Sequence, residues 1–308
     1  MPTGRFAPSP TGPLHVGNLR TAVLAWLFAR ASGSRFLVRI EDLDRVASRE
    51  VHVRAHLDDL AALGIESDGP VVRQSERFGR YDAALAALDA GGLLYPCYCT
   101  RREVQAAVAA PHGPLPEGAY PGTCRDLGPA ERTAREAGGR RPAWRVRAGG
   151  VRVEAVDLRH GTVAAVVDDF VVRRADGAPA YQLAVVVDDH DQGVGEVVRG
   201  DDLLDTTPRQ VWLAGRLGLD IPAYAHVPLV LGPDGERLAK RHGAVTLADL
   251  AARGIGPAEV LGAMAASLGL ARPGSPVGSV TALVTTFDPD RMPVDPWRFD
   301  PDTLAVNT

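Results

Sequence analysis

A chain of 308 residues, 45% of them hydrophobic and with a formal net charge of -4, can bury a substantial core and suggests about two domains or one with a large insertion. It has neither a signal segment nor the roughly 18 apolar residues a membrane span requires, so a cytoplasmic protein with no membrane partner is expected. The acidic balance gives no global attraction to nucleic acid; any such surface rests on local pairs such as Arg101-Arg102, Arg140-Arg141 and Arg173-Arg174, which taken singly fit solvated surface equally well.

Arg5-Phe6 reads as the start of a strand. After a proline- and glycine-rich loop, Leu19, Val23, Trp26 and Leu27 recur at helical spacing over 18–32, and Gly33 is a natural stop. Phe36-Leu37-Val38-Arg39-Ile40 then completes a strand, glycine turn, helix, strand unit, the repeating element of a parallel α/β sheet. Helical patterns over 46–63 and 78–90 end at Gly64 and at Gly91-Gly92. From Tyr95 the character changes, with cysteines, a Pro/Gly-rich stretch over 111–122 and strand signals over 144–172. Asp176-Gly177 reads as a hairpin turn. The α/β pattern resumes with a buried strand over 183–187, a helix over 205–217 capped by Asp205, and a strand over 227–231. Helical patterns over 247–253 and 257–268 precede a tail from Arg272 rich in proline and aspartate. These boundaries divide the chain into a first half of a catalytic domain, 1–94, an inserted domain, 95–179, the second catalytic half, 180–243, and a helical C-terminal part, 244–308.

Lys240 is the only lysine; arginine supplies the other cations. A chain that otherwise uses arginine is expected to keep lysine where a compact, mobile ammonium acts, as on a phosphate. His15 and Gly17 lie where the first strand hands over to the first helix, so backbone N–H groups and the positive helix end face whatever binds there. By itself His-x-Gly fits a proline-rich loop with a capping histidine as well as a phosphate seat. Three cysteines, two of them in Cys97-Tyr98-Cys99, suit a metal site in a reducing compartment better than a disulfide framework. They are one ligand short of a four-coordinate structural zinc site, and buried unliganded cysteines are the plainer alternative.

The blocks Pro8-Ser9-Pro10-Thr11-Gly12-Pro13-Leu14-His15-Val16-Gly17-Asn18 and Leu238-Ala239-Lys240-Arg241 resemble the two signature motifs of class I aminoacyl-tRNA synthetases in their glutamyl form. Further matches follow in order at Arg39-Ile40-Glu41-Asp42-Leu43-Asp44, Val186-Val187-Asp188-Asp189-His190, Val198-Arg199-Gly200-Asp201-Asp202 and Thr207-Pro208-Arg209-Gln210. Asn18 stands for the second histidine of the first signature, and Arg237 and Ala239 for the Lys and Ser of the second. The resemblance implies an α/β fold, a Rossmann-like parallel sheet with a zinc-bearing insertion and a small helical C-terminal part. It places ATP on His15, Gly17, Asn18 and Lys240, with His15 and Lys240 stabilising the transition state. L-Glutamate falls to the run Arg5, Phe6, Ala7, Pro8 and Ser9 with Glu41, Tyr181 and Arg199. The two arginines then fork onto its carboxylates, Glu41 meets the ammonium and Ser9 and Tyr181 offer hydroxyls. One structural zinc falls to Cys97, Cys99, Tyr120 and Cys124, with His112 as the competing fourth ligand, and magnesium accompanies ATP.

Glutamyl enzymes carry a large helical anticodon-binding region after the second signature, whereas only a short stretch follows Gly243. The resemblance therefore points to a shortened branch that activates glutamate without RNA and passes it to queuosine in the anticodon stem-loop of tRNA(Asp), as a monomer. Rival readings are a truncated glutamyl enzyme charging a tRNA 3′ end, a small-molecule nucleotidyltransferase without need of the Arg5, Glu41, Tyr181 and Arg199 set, and an idle RNA-binding or zinc module.

Overall fold

In the computed structural model, residues 3–108, 119–243 and 245–304 are described, without the side chains of 106–108 and 240. In chain order they form β1 (Thr3–Phe6), α1 (Val16–Ala31), β2 (Phe36–Ile40), α2 (Glu50–Ala62), β3 (Val72–Arg73), α3 (Phe78–Ala90) and β4 (Leu94–Cys97). Next come α4 (Arg101–Val108), α5 (Pro129–Ala137), β5 (Ala143–Val146), β6 (Val151–Asp157), β7 (Gly161–Val167) and β8 (Val171–Arg173). The chain continues with α6 (Tyr181–Asp191), β9 (Val194–Gly200), α7 (Thr207–Leu217), β10 (Ala223–Val227), β11 (Val230–Leu231), α8 (Leu247–Ala251), α9 (Pro257–Ser267) and β12 (Trp297–Arg298).

The main sheet runs β3-β2-β1-β9-β10-β6-β7 and is parallel throughout except for the β6–β7 hairpin at its edge. The crossover from β1 to β2 through α1 is close, because Gly4 faces that helix and a Cβ there would meet Ala29 Cβ at 2.9 Å. One core gathers α1, α2, α8 and α9 with Phe6, Ile40, Val198 and Val227, and a second gathers α3, α6 and α7 with Val146, Val167 and Val172. Apolar layers covering both faces suit a parallel sheet. β4, β5 and β8 form a separate antiparallel sheet, while β6 reaches β10 through the pair Asp157 and Tyr224.

Four expected elements differ. The run 183–187 is helix α6, not a buried strand. A short apolar run looks alike in either state, and here all five residues are buried because α3, α7, β8 and β9 enclose the helix. α7 begins at Thr207, so Asp205 lies in the preceding 3-10 helix (Asp201–Thr206) and does not cap. The strand expected over 227–231 is broken between β10 and β11 at Pro228 and Leu229, since proline offers no ladder N–H. α2 starts only at Glu50, because the Asp44 carboxylate accepts from the N–H groups of Val46 and Ala47, a turn that competes with helix.

Candidate active site and metal centre

His15 is the N-cap of α1. Its Nδ1 accepts from Asn18 N at 3.2 Å, and Asn18 Oδ1 accepts from His15 N at 3.2 Å. With Nδ1 an acceptor, the ring proton sits on Nε2, free to donate outward. Burial, and after it the charge of Arg237, lower the His15 pKa and favour this neutral form. Gly17 lies under the ring, where a Cβ would come within 2.9 Å of two ring atoms. His15 and residues 236–239 and 241 line one open cleft of about 500 Å³, so the two signature segments face each other. Lys240 opens a single 3-10 turn there (Lys240–His242); its side chain lies outside those described. His242 shapes this turn, accepting from Ala239 N at Nδ1 and closing on Gly232, where a Cβ would meet that nitrogen at 2.6 Å.

The strands of the sheet carry a buried charge cluster. β1 carries Arg5, whose Nε donates to Asp189 Oδ1 at 3.4 Å and Nη1 to Val198 O at 3.3 Å. β2 carries Arg39, fully buried among Asp189 at 2.8 Å, Glu41 at 3.3 Å and Asp188 at 3.7 Å. Burial would weaken the Arg39 charge, but these three carboxylates more than offset it and keep it protonated. Burial also works on the two acids, with opposite outcomes. Glu41 ends above its ordinary value despite Arg39 and Arg5, whereas Arg39, Arg5 and Arg199 hold Asp189 below its own. The backbone of Glu41 is pinned to the signature loop by its N–H on Pro8 O at 3.0 Å. Ser9 is exposed beside buried Phe6 and Pro8 and half-buried Ala7. Tyr181, at the start of α6, is 37% exposed, and burial of its hydroxyl and the Glu41 charge raise its pKa.

Arg199, on β9, differs from the other two. Nε donates to His226 Nε2 at 2.9 Å, Nη1 to Gln210 Oε1 at 2.8 Å and Nη2 to Thr207 Oγ1 at 2.8 Å. All are neutral acceptors, and among the described residues no carboxylate lies within ion-pairing distance. A buried cation with only neutral partners favours an anionic ligand. Of the residues expected from sequence to meet glutamate, Arg5, Glu41, Tyr181 and Arg199 lie close enough to act on one another through their charges around this cluster. Sequence reasoning missed Arg39 as its centre and His226 and Asp157 behind Arg199, because an arginine or histidine within a strand pattern carries no signal of its partners.

The metal candidates converge in the sheet of β4 and the loop before α5. The thiol sulfurs of Cys97, Cys99 and Cys124 all lie within 4.8 Å of one another, with Cys99 and Cys124 at 3.5 Å. Tyr120 Oη lies 3.3 Å from Cys97 Sγ and 3.7 Å from Cys99 Sγ and accepts from Cys124 N at 2.8 Å. Zinc–sulfur bonds of about 2.3 Å in a tetrahedron require sulfurs roughly 3.7 Å apart, so these donors fit a zinc ion. Burial pushes the Cys99 thiol up to about 12, whereas hydrogen bonds led by the Tyr98 backbone outweigh burial and lower Cys124. Arg145 stacks 3.7 Å above the Tyr120 ring. His112 lies outside the described residues. Asp168 and Asp169, after β7, fasten this lobe: Asp168 accepts from Tyr120 N and Arg209, and Asp169 from Tyr95 Oη, Arg125 and the N–H groups of Ala148 and Gly149.

Of the arginines noted for a nucleic-acid surface, Arg101, Arg102 and Arg141 are exposed with no ion pair among the described residues, whereas Arg140 binds Glu103 and Tyr98 O. Among the described residues no helix is long and apolar enough to cross a membrane.

The family profile described as class I tRNA synthetases (E and Q), catalytic domain, matches residues 3–293. A protein of Nocardia farcinica named Glutamyl-Q tRNA(Asp) synthetase is 60% identical over 294 residues, 96% of this chain and 92% of that one. Its namesake in Symbiobacterium thermophilum is 50% identical, covering 99% and 98% of the two chains. Among solved structures, a glutamate tRNA ligase of Elizabethkingia meningosepticum in complex with its amino acid superposes with a TM-score of 0.82 at 26% identity, over 98% of this chain and 68% of that one. The glutamate-tRNA synthetase of Elizabethkingia anophelis does so at 0.83 and 26%, with the same coverage. The chain belongs to the class I tRNA synthetases of the glutamate and glutamine family, through their catalytic domain.

Proposed function

We propose that the chain activates L-glutamate with ATP and passes the glutamyl group to queuosine in the anticodon of tRNA(Asp), the activity that the name of its relatives describes. Arg199 carries the reading: a buried guanidinium held by neutral groups beside the Arg5–Asp189 pair suits a dicarboxylic amino acid. Arg5 and Arg199 each take a carboxylate, Glu41 faces the ammonium, and Tyr181 and Ser9 add hydroxyl contacts. Phe6, Ala7 and Pro8 form the wall.

ATP enters as its magnesium complex over the N-terminus of α1. His15 Nε2–H donates to a phosphate oxygen, the N–H groups around Gly17 and Asn18 face the same charge, and Lys240 approaches from the opposite segment. One carboxylate oxygen of glutamate bonds to the α-phosphorus while the bond to the pyrophosphate oxygen breaks. The protein supplies position and fixed positive charge and forms no covalent intermediate. Cys97, Cys99, Tyr120 and Cys124 hold one structural zinc. When bound, that zinc orders the lobe and takes no part in adenylation. Exposed Arg101, Arg102 and Arg141 offer phosphate contacts to the stem-loop.

Exchange of labelled pyrophosphate into ATP, measured without RNA, tests the activation step. Exchange that depends on glutamate and not on glutamine or aspartate supports the reading. Exchange that depends on a nucleotide or phosphate-ester acceptor in place of an amino acid would favour a small-molecule nucleotidyltransferase, and exchange only with RNA present would favour a synthetase that charges a 3′ end.

A further inference from the structure

Arg199 and His226 are directly opposite one another on β9 and β10. Arg199 Nε must donate, so His226 Nε2 accepts, at 2.9 Å, and the ring proton therefore lies on Nδ1. There it meets Asp157 Oδ2 at 2.6 Å. Asp157 is itself fixed: Oδ2 also accepts from His226 N, and Oδ1 from Arg159 N and His160 N in the β6–β7 turn. Asp157 and Arg199 are nearly buried and His226 is completely so.

We infer that His226 and Asp157 are positioning residues for Arg199, with the imidazole acting as a neutral spacer that aims the guanidinium without cancelling its charge. This rests on the proposal that Arg199 meets a carboxylate of glutamate. A carboxylate placed directly on Arg199 would form a charge-assisted pair and compete with the substrate; Arg5 and Arg39 already have such partners. The imidazole moves the balancing anion one ring away, and Nη1 and Nη2 are held by Gln210 and Thr207. Burial and the Arg199 charge keep His226 in the neutral form the arrangement needs, against the pull of Asp157. Asp157 comes from the stretch expected to be inserted, so the edge hairpin helps to hold the amino-acid pocket.

Kinetics of glutamate-dependent pyrophosphate exchange in Asp157→Asn, His226→Leu and His226→Gln test this. In Asp157→Asn the amide oxygen stays on the turn N–H groups and its NH2 donates to Nδ1. That forces the proton onto Nε2, against Arg199 Nε–H. Asp157→Asn and His226→Leu should raise the KM for glutamate on the order of tenfold or more while leaving the KM for ATP within about twofold. His226→Gln, whose amide oxygen can accept from Arg199, should recover most of the loss. An unchanged KM for glutamate in Asp157→Asn, or a parallel rise in both KM values with a lowered melting temperature, would overturn the inference and leave the functional reading standing. No exchange by the unmutated chain would overturn both.

Discussion

Two nitrogens of one ring do separate work in His15: Nδ1 closes the first turn of α1, and Nε2 is left to donate outward, to phosphate in the proposed reaction. The ring rests against Gly17, so Gly17→Ala must displace it. We expect adenylate formation in Gly17→Ala to fall on the order of tenfold to a hundredfold with an unchanged melting temperature; an unaffected rate would separate the ring from the chemistry. Lys240→Ala should cost about 2.7–4 kcal/mol of activation free energy, the scale for losing one preorganised contact to developing charge. Lys240→Arg should recover part of that, because it keeps the charge but not the compact head. Single-turnover formation of glutamyl-adenylate reads both, and an undiminished rate in Lys240→Ala would remove the role.

His56, fully buried beneath the first signature, hydrogen-bonds Gly12 O at 2.7 Å through Nε2. Burial lowers its pKa, so the unfolded chain takes up this proton more readily. Its contribution to stability is present above the unfolded value of about 6.5 and is lost as pH falls from there through the folded value. Denaturant midpoints at pH 7.5 and 5.5 should therefore differ less in His56→Gln than in the unmutated chain, and an equal difference would contradict this. As candidates, His15, Arg5, Glu41 and Arg199 were legible in sequence because each sits in an ordered motif. The parts played by Asp157, His226 and Arg39 were not, since what matters about them is which side chains they meet from segments far apart in the chain.

At the scale of elements, α6 shows how tertiary context overrides pattern. Its run 183–187 has no polar face because packing surrounds it, and only the polar residues that follow betray a helix. Those residues matter: Asp188 accepts from Gln74, Arg77 and Tyr81 and lies 3.7 Å from Arg39, so α6 locks α3 and β2 into one charge cluster. Removing a buried carboxylate strands its cationic partners, and Asp188→Ala should cost about 3–5 kcal/mol in denaturant unfolding. A loss below about 1 kcal/mol would show that the cluster reorganises freely. The metal lobe was legible from Cys97-Tyr98-Cys99 because two donors one residue apart have few other uses. Its anchors Asp168 and Asp169 were not, as acidic residues at a strand end usually face solvent. Elemental analysis should find about one zinc per chain, lost in Cys97→Ser combined with Cys124→Ser, while adenylate formation persists. Retention of zinc in that double variant would place the metal elsewhere.

Across the whole molecule, the repeating strand–helix–strand unit announced the parallel sheet, but not that β6 and β7 would extend it beyond β10. Edge pairing depends on a partner 67 residues further along the chain, as with Asp157 and Tyr224 seen in register, and no local pattern records it. The hairpin is then clamped by Arg159, which donates to the carbonyls of Pro289 and Met292. The proposed amino-acid pocket, the candidate metal lobe through Asp168 and Arg209, and the C-terminal stretch are thereby joined in one framework. The proposed acceptor is best tested with that framework intact. Labelled glutamate, ATP and the protein are incubated with an isolated tRNA(Asp) anticodon stem-loop carrying queuosine, which has no acceptor end. Label attached to this stem-loop, and none on the same stem-loop bearing guanosine, is the predicted result. Label found only on the 3′ end of intact tRNA, or equally on tRNA(Glu), would contradict the account.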